Sequence, residues 1–375
     1  MTNVIMVLPR YFPILGGAEV QCSRLIKAFS TDPNVNIVEV VTRRLTPLLK
    51  KNEIIDGVRI RRLPPFGTGV LAEYFFCIIL FFYLLYKSRK YDVIHCHATS
   101  IFGLVVSIVG LLLKKKVIVK VSTNGEVNAM NSSKIKSLIA SICSKRTIYV
   151  ALNNEGYQET IKFLPKKNVV LIPNGIEPYR FDNNDCAQHF RKKLEDEYGN
   201  DLCVCLFIGR FVIRKGIVDI LSVAERLESK SNFVFVFIGD SSLQRDAESF
   251  DKFSNLKNVQ FLGRKDNVFP YLVAADFFIS PSYNEGLPNT VLEALSCGVH
   301  CILSDISPHE ELSVEHPEYI SLFKKGEVSD LENVLVNNYN VLTQKSSFDD
   351  KKPGVLNEKY LMNNVAESYS NLYRS

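Results

Sequence analysis

Short runs rich in β-branched and aromatic residues recur along the chain, and nearly all lead into stretches of helical periodicity. In the first half they fall at residues 4–8, 35–41, 93–96, 117–121, 148–152 and 169–172, and in the second at 202–208, 233–238, 259–262, 277–280 and 301–303. Strands that are apolar on both faces and separated by helices belong to parallel sheets covered on two sides. A chain of 375 residues exceeds one ordinary core, so the reading is two doubly wound α/β domains. Residues 176–200 are polar and interrupt the alternation, which puts a hinge near Gly175 and domains at 1–175 and 176–356. Residues 344–357 read as an exposed loop. In the closing segment 357–375, Leu361, Val365, Tyr369 and Leu372 share one face of a last helix.

Composition narrows the function classes. Hydrophobic residues at 46% and charged residues at 23% exclude a disordered tail, a fibre and a polytopic membrane protein. Nine cysteines, without a C-x-x-C pair, argue against a disulfide scaffold or a Cys-ligated zinc site and point to a reducing, cytoplasmic compartment. The apolar run at 4–8 has no basic segment before it and ends at Pro9-Arg10, so it reads as a strand, not a leader.

The net charge of +5 conceals an asymmetry: residues 1–178 hold 24 Lys+Arg against 11 Asp+Glu, and the remainder is acidic. A basic half suits a membrane surface, a phosphate-bearing ligand or nucleic acid, or is a solvated face. Nucleic acid is disfavoured, because no interleaved aromatics or recognition helix accompany the charge. Two apolar stretches, residues 75–86 and 101–113, are each followed by basic residues. Both are too short to span a bilayer and fit buried crossover helices, while the basic flank of the first also fits an interfacial helix.

Ligands of doubly wound sheets bind beyond the carboxyl ends of strands, so the residues there carry the chemistry. The segment SPSYNEGLPNTVLEALSCG, residues 280–298, is a strand end, a loop and a helix starting near Pro288. Backbone N–H groups at Asn289, Thr290 and Val291 make an anion site for a phosphate or a polarised hydroxyl. Glu285 and Glu293, eight residues apart, can accept hydrogen bonds from sugar hydroxyls; the plain alternative is a helix-start carboxylate and a solvated helix residue. In FIGRFVIRKG, residues 207–216, Arg210 and Lys215 lie in a strand-to-helix turn, where fixed cations can neutralise a diphosphate without a metal; surface ion pairing is the alternative. Gly16 and Gly17 precede a helix after the first strand, where the backbone can approach a ligand, but the run is not a dinucleotide fingerprint. His95 and His97 alternate to one side of a strand, so a metal pair is conceivable; without a third ligand, His95 reads as core and His97 as a site residue.

Taken together, GGAE at 16–19, DVIHCH at 92–97, IPNG at 172–175, GRFVIRKG at 209–216, FIGD at 237–240 and PSYNEGLPNTVLEALSCG at 281–298 resemble family 4 retaining glycosyltransferases of the GT-B fold, in order over nearly the whole chain. The resemblance implies two Rossmann-like domains facing a cleft, the first holding the acceptor and the second a nucleotide sugar, with a last helix that crosses back to the first. It implies that Glu293 binds the ribose and that Glu285, with the Gly286, Leu287 and Asn289 backbone, binds the transferred sugar. Arg210 and Lys215 would hold the diphosphate, which Gly16 and Gly17 approach; no metal or other cofactor is implied. Many members place a histidine where this chain has Asn124, which can donate a hydrogen bond but cannot titrate. The expected reaction moves a hexose or N-acetylhexosamine, from a UDP-sugar in preference to a GDP-sugar, with retention of configuration. The expected acceptor is a glycan or a lipid-linked one in surface polysaccharide synthesis, at the cytoplasmic face of the inner membrane. The alternative is an epimerase or hydrolase of the same fold that needs no acceptor.

Overall fold

The computed structural model describes residues 1–14, 16–122, 125, 127, 134–179, 185–229, 232–240, 253, 255–344 and 356–375, with the side chains of 134–136 and 342–344 left aside. The chain divides into two compact units, Met1–Ile176 with Glu358–Ser375, and Glu177–Asn357.

The first unit is built on β1 (Thr2–Val7), β2 (Val35–Arg43), β3 (Asn52–Ile55), β4 (Val58–Leu63), β5 (Val93–Cys96), β6 (Lys116–Lys120), β7 (Thr147–Ala151) and β8 (Val169–Leu171), in the spatial order β3-β4-β2-β1-β5-β6-β7-β8. Every pairing is parallel except β3 with β4. Those two strands form a hairpin that the reading above omits. Its turn is Asp56-Gly57, both at positive φ (51° and 77°), the geometry that Asp-Gly supplies in two-residue hairpins. The helices are α1 (Gly17–Phe29), α2 (Val70–Tyr86), α3 (Ser100–Leu113), α4 (Lys134–Cys143) and α5 (Asn154–Ile161). Of the two apolar stretches, α3 is a core helix: a Cβ on Gly110 would sit 2.1 Å from Val117 Cγ2, so the missing side chain is what lets the helix lie on β6. By contrast, α2 buries Phe76, Cys77, Leu80 and Leu84 and leaves its other face exposed. No described helix is long and apolar enough to cross a membrane.

The second unit holds β9 (Cys203–Ile208), β10 (Phe233–Ile238), β11 (Val259–Phe261), β12 (Phe277–Ser280), β13 (His300–Ser304) and β14 (Ile320–Phe323), ordered β11-β10-β9-β12-β13-β14 and wholly parallel. Here β14 is the strand the sequence reading lacks. Its helices are α6 (Asp185–Tyr198), α7 (Ile217–Leu227), α8 (Phe269–Ala274), α9 (Asn289–Ser296), α10 (Ser307–Glu315) and α11 (Val328–Gln344). The central strands are buried at every position, as expected of strands covered on both faces.

The last helix, α12 (Met362–Arg374), packs into the first unit. Ile176 pairs as an isolated bridge with Leu361, and its backbone exchanges hydrogen bonds of 2.9 Å with Tyr360 and Met362. The buried face is Met362, Val365, Ala366, Tyr369 and Tyr373. Leu361 and Leu372 are only half-buried, because the helix starts one residue after Leu361 and turns Tyr373 inward instead. The expected loop 344–357 falls almost wholly outside the described residues.

Candidate functional site

Strand order places each unit's site. In the second sheet β9 and β12 are neighbours, yet the chain leaves β9 toward β10 and β12 toward β13. That reversal opens a crevice at the carboxyl ends of β9 and β12. The loops there are residues 209–216 and 281–288. Their backbones touch: Gly216 has φ 68°, and a Cβ on it would lie 2.1 Å from the Pro281 carbonyl oxygen. The Tyr283 N–H also donates to the Arg214 carbonyl at 2.9 Å, and the Tyr283 hydroxyl donates to Asp219 at 3.0 Å.

This docking brings together side chains seventy residues apart. Lys215 Nζ lies 2.5 Å from Glu285 Oε1, Arg214 Nη1 lies 3.7 Å from Oε2, and the Arg214 guanidinium also donates to the Asn284 carbonyl. Glu285 is 7% exposed. Burial pulls its carboxyl up, but Lys215, Arg214 and the Ser282 hydroxyl outweigh that and hold it below its ordinary value. A buried carboxylate kept ionised in this way is a strong acceptor for sugar hydroxyls, and its cationic partners are poised for an incoming anion. Arg214 and the Tyr283–Asp219 tie are missed by the sequence reading, although Arg214 stands beside Lys215 in the same basic turn. His309 is missed as well. Its Nδ1 is 2.9 Å from the Ser304 carbonyl, the Ser304 hydroxyl donates to the Ser282 carbonyl at 2.6 Å, and burial keeps the imidazole neutral, down to about 4.

Of the other expected site residues in this unit, Arg210 follows β9 and is half-buried; Gly286 and Leu287 are buried; Asn289 and Thr290 open α9 half-buried. Glu293 lies inside α9 at 6% exposure, so it is no solvated helix residue. The acidic run Glu195-Asp196-Glu197 lies in α6, where Glu195 pairs with Arg191 at 3.0 Å.

In the first sheet the corresponding reversal lies between β1 and β5. After β1, Gly16 caps α1 in extended conformation (φ −150°) and Gly17 is its first residue; Glu19, buried, pairs with Arg10 at 3.2 Å. After β5 the sequence reading separates a core His95 from a site residue His97. The structure instead buries both, at 0% and 2% exposure, with rings stacked 4.2 Å apart: the His97 N–H donates to the Val7 carbonyl at 3.0 Å one residue past β5, so the alternation that puts alternate residues on one face continues to it. His95 Nδ1 is hydrogen-bonded to the Tyr373 hydroxyl at 2.7 Å. Burial and the nearby Lys120 hold His95 down to about 3, and burial, His95 and Lys120 push His97 down likewise. Lys120 donates to Asn174 Oδ1 at 2.8 Å and is itself lowered by burial to about 8. Among the described residues no cluster of three His, Cys, Asp or Glu could hold a metal. Asn124 lies outside the described residues.

Comparisons with known proteins agree in kind. Residues 15–180 match the model described as Glycosyltransferase Family 4, and residues 203–338 the model described as Glycosyl transferases group 1. The chain is 26% identical, over 79% of its length and 78% of the relative's, to UDP-Gal:alpha-D-GlcNAc-diphosphoundecaprenol alpha-1,3-galactosyltransferase of Escherichia coli. It is also 26% identical, over 62% of its length and 64% of the relative's, to the capsular polysaccharide biosynthesis glycosyltransferase CapH of Staphylococcus aureus. The structure of Anabaena Alr3699/HepE in complex with UDP and glucose superposes with TM-score 0.77 at 14% identity, covering both chains fully. That likeness is one of fold: two Rossmann-like units of GT-B type.

Proposed function

Since the chain belongs to the family 4, group 1 glycosyltransferases, we propose that it transfers a hexose or N-acetylhexosamine from a UDP-sugar to a lipid-linked glycan, with retention of configuration. The observation that carries this reading is the Lys215–Glu285–Arg214 constellation at the strand reversal of the second sheet. In it the carboxylate of Glu285 takes hydroxyls of the transferred sugar and Glu293 takes those of the ribose. Lys215 and Arg210, with the N-terminal end of α9, receive the diphosphate.

As the bond between the anomeric carbon and the phosphate oxygen breaks, its electron pair passes to that oxygen, and the fixed cations offset the charge that develops. The acceptor hydroxyl forms the new bond from the face the phosphate leaves, and its proton goes to the phosphate oxygen. Glu285, bonded to Lys215, serves as acceptor of hydrogen bonds and not as nucleophile. Side chains supply the electrostatics, so the reaction runs without a metal ion.

The lipid-linked acceptor is supported by the Escherichia coli relative, whose name places its acceptor on diphosphoundecaprenol, and by the basic first unit. Such an acceptor puts the enzyme at the cytoplasmic face of the inner membrane. The first test is a panel of UDP-, GDP- and ADP-sugars scored for protection against thermal unfolding. UDP-sugars are expected to raise the transition of the wild type and to lose that effect in Glu293→Ala and Arg210→Ala. Variants that respond like the wild type refute the residue roles. Activity lost to a chelator and restored by manganese refutes the metal-free mechanism, and donor turnover without any acceptor refutes transfer.

A further inference from the structure

The exposed face of α2 lacks the polar residues that a surface helix ordinarily turns to water. Leu71, Tyr74, Phe75, Ile78, Phe82 and Tyr86 are 76%, 52%, 60%, 53%, 62% and 82% exposed. At 100° per residue they fall within a band about 120° wide that runs the length of the helix. The opposite side holds the buried Phe76, Cys77, Leu80 and Leu84 and also Glu73, the single charged residue of the helix. Taking roughly 200 Å² for a large side chain, the six expose on the order of 700 Å², above the largest patch of a typical monomer.

Cations gather at the carboxyl end of this band. The Arg61 guanidinium lies 5.8 Å over the Tyr83 ring, and Lys87 Nζ lies 5.8 Å from Tyr83 and 5.4 Å from Tyr86. Arg89 and Lys90 follow, both exposed, and Arg59 projects from the neighbouring strand β4. The nearby acids are engaged: Glu39 accepts the Tyr83 hydroxyl at 2.6 Å, and Glu53 pairs with Arg62.

We propose that α2 is the membrane-docking element, lying flat in the headgroup region of an anionic bilayer with Leu71, Phe75, Ile78, Phe82 and Tyr86 among the upper acyl carbons and the cations at its end on lipid phosphates. A helix of 17 residues is about 25 Å long, too short to span comfortably but well matched to lying in the interface. A band of apolar residues alone would fit several partners; the cations selected at its rim fit an anionic surface. This names the surface through which the lipid-linked acceptor reading would work, and it rests on that reading for its purpose only.

The chain contains no tryptophan, so Phe82→Trp installs a single tryptophan within the band, excited selectively over the tyrosines at the red edge. With phosphatidylglycerol vesicles its emission is expected to shift to the blue and to be quenched by lipids brominated on the acyl chain. Phosphatidylcholine vesicles should give a much smaller effect. In flotation, Phe75→Glu should lower vesicle partitioning by about tenfold or more, as removal of a buried aromatic from the interface implies. Arg89→Glu with Lys90→Glu should lower it in low salt and less in high salt. Both changes lie on exposed positions, and retention of the UDP-induced thermal shift shows that the fold and donor site are intact. Unshifted emission with anionic vesicles overturns the proposal, as does a blue shift that grows with protein concentration in the absence of lipid, which assigns the face to a second copy. Flotation without transfer to any lipid-linked acceptor refutes the acceptor reading alone; transfer without flotation refutes the docking surface alone.

Discussion

Replacing Lys215 by methionine tests whether the ion pair at the second sheet's crevice organises the site. The change keeps most of the side-chain volume but leaves Glu285, whose side chain is 9% exposed, with Arg214 at 3.7 Å on its other oxygen. Removing one partner of a buried pair costs about 3–5 kcal/mol when the remaining charge is uncompensated. Arg214 and the Ser282 hydroxyl compensate part of it, which brings the expectation to about 2–3 kcal/mol. For a unit the size of Glu177–Asn357 that corresponds to roughly 5–10 °C in its thermal transition. Adding Glu285→Gln removes the stranded charge, so the double variant should recover to within about 1 kcal/mol of the wild type.

The pH dependence carries a definite sign. In the wild type the depressed carboxyl contributes stability that is present above its ordinary value of 4.5 and is lost as pH falls through the folded value. In Lys215→Met the carboxyl rises and can take a proton, so the gap between wild type and variant should narrow from pH 7 toward pH 4. Thermal and urea unfolding followed by circular dichroism, with and without UDP, reads both effects. A double variant as unstable as the single one, or a gap that widens in acid, refutes the argument.

Three further outcomes are expected. Gly216→Ala combines a left-handed residue, at a cost of about 1–2 kcal/mol, with a Cβ 2.1 Å from the Pro281 carbonyl; it should weaken UDP-sugar binding in titration calorimetry, and unchanged affinity would show that the two loops need not touch. Gly175→Ala places a Cβ 2.9 Å from Met362 Cα, so the start of α12 must shift; amide exchange in α12 should accelerate, at a cost of about 1–3 kcal/mol typical of overpacking. Two neutral histidines, His309 buried and His300 half-buried, give the second unit an acid-sensitive stability. His300 and His309 are each lowered from 6.5 to about 4, so the unfolded chain binds protons below 6.5 that the folded unit refuses. Stability should fall as pH drops from 6.5 to 4, by about 1.4 kcal/mol per pH unit for each histidine, and His309→Gln should flatten that slope in urea titrations.

The doubly wound architecture was legible because its strands are continuous apolar runs: residues 93–96, 233–238 and 277–280 coincide with β5, β10 and β12. The hairpin of β3 and β4 escaped because the short edge strand β3 and VRIRRL beside it mix polar or basic residues with apolar ones and form no continuous apolar run, although Asp56-Gly57 marked its turn. Short β14, half-buried at its centre, carries too weak a signal. At the site, residue types and chain order pointed to Glu285 and Lys215, but not to their direct pairing, which follows from two loops meeting at a strand reversal. Likewise, alternation put His95 and His97 on one side, while the burial of His95 also involves Tyr369 and Tyr373 from a helix distant in sequence.

That helix also orders the molecule's assembly in time. Because residues 358–375 complete the first unit's core, a ribosome finishes everything the second sheet requires while the earlier one still lacks Val365, Tyr369 and Tyr373 against β1 and α1. The part translated first is therefore the last that can close. A chain halted shortly after residue 357 would present a finished downstream half tethered to an upstream half with one flank of its sheet uncovered.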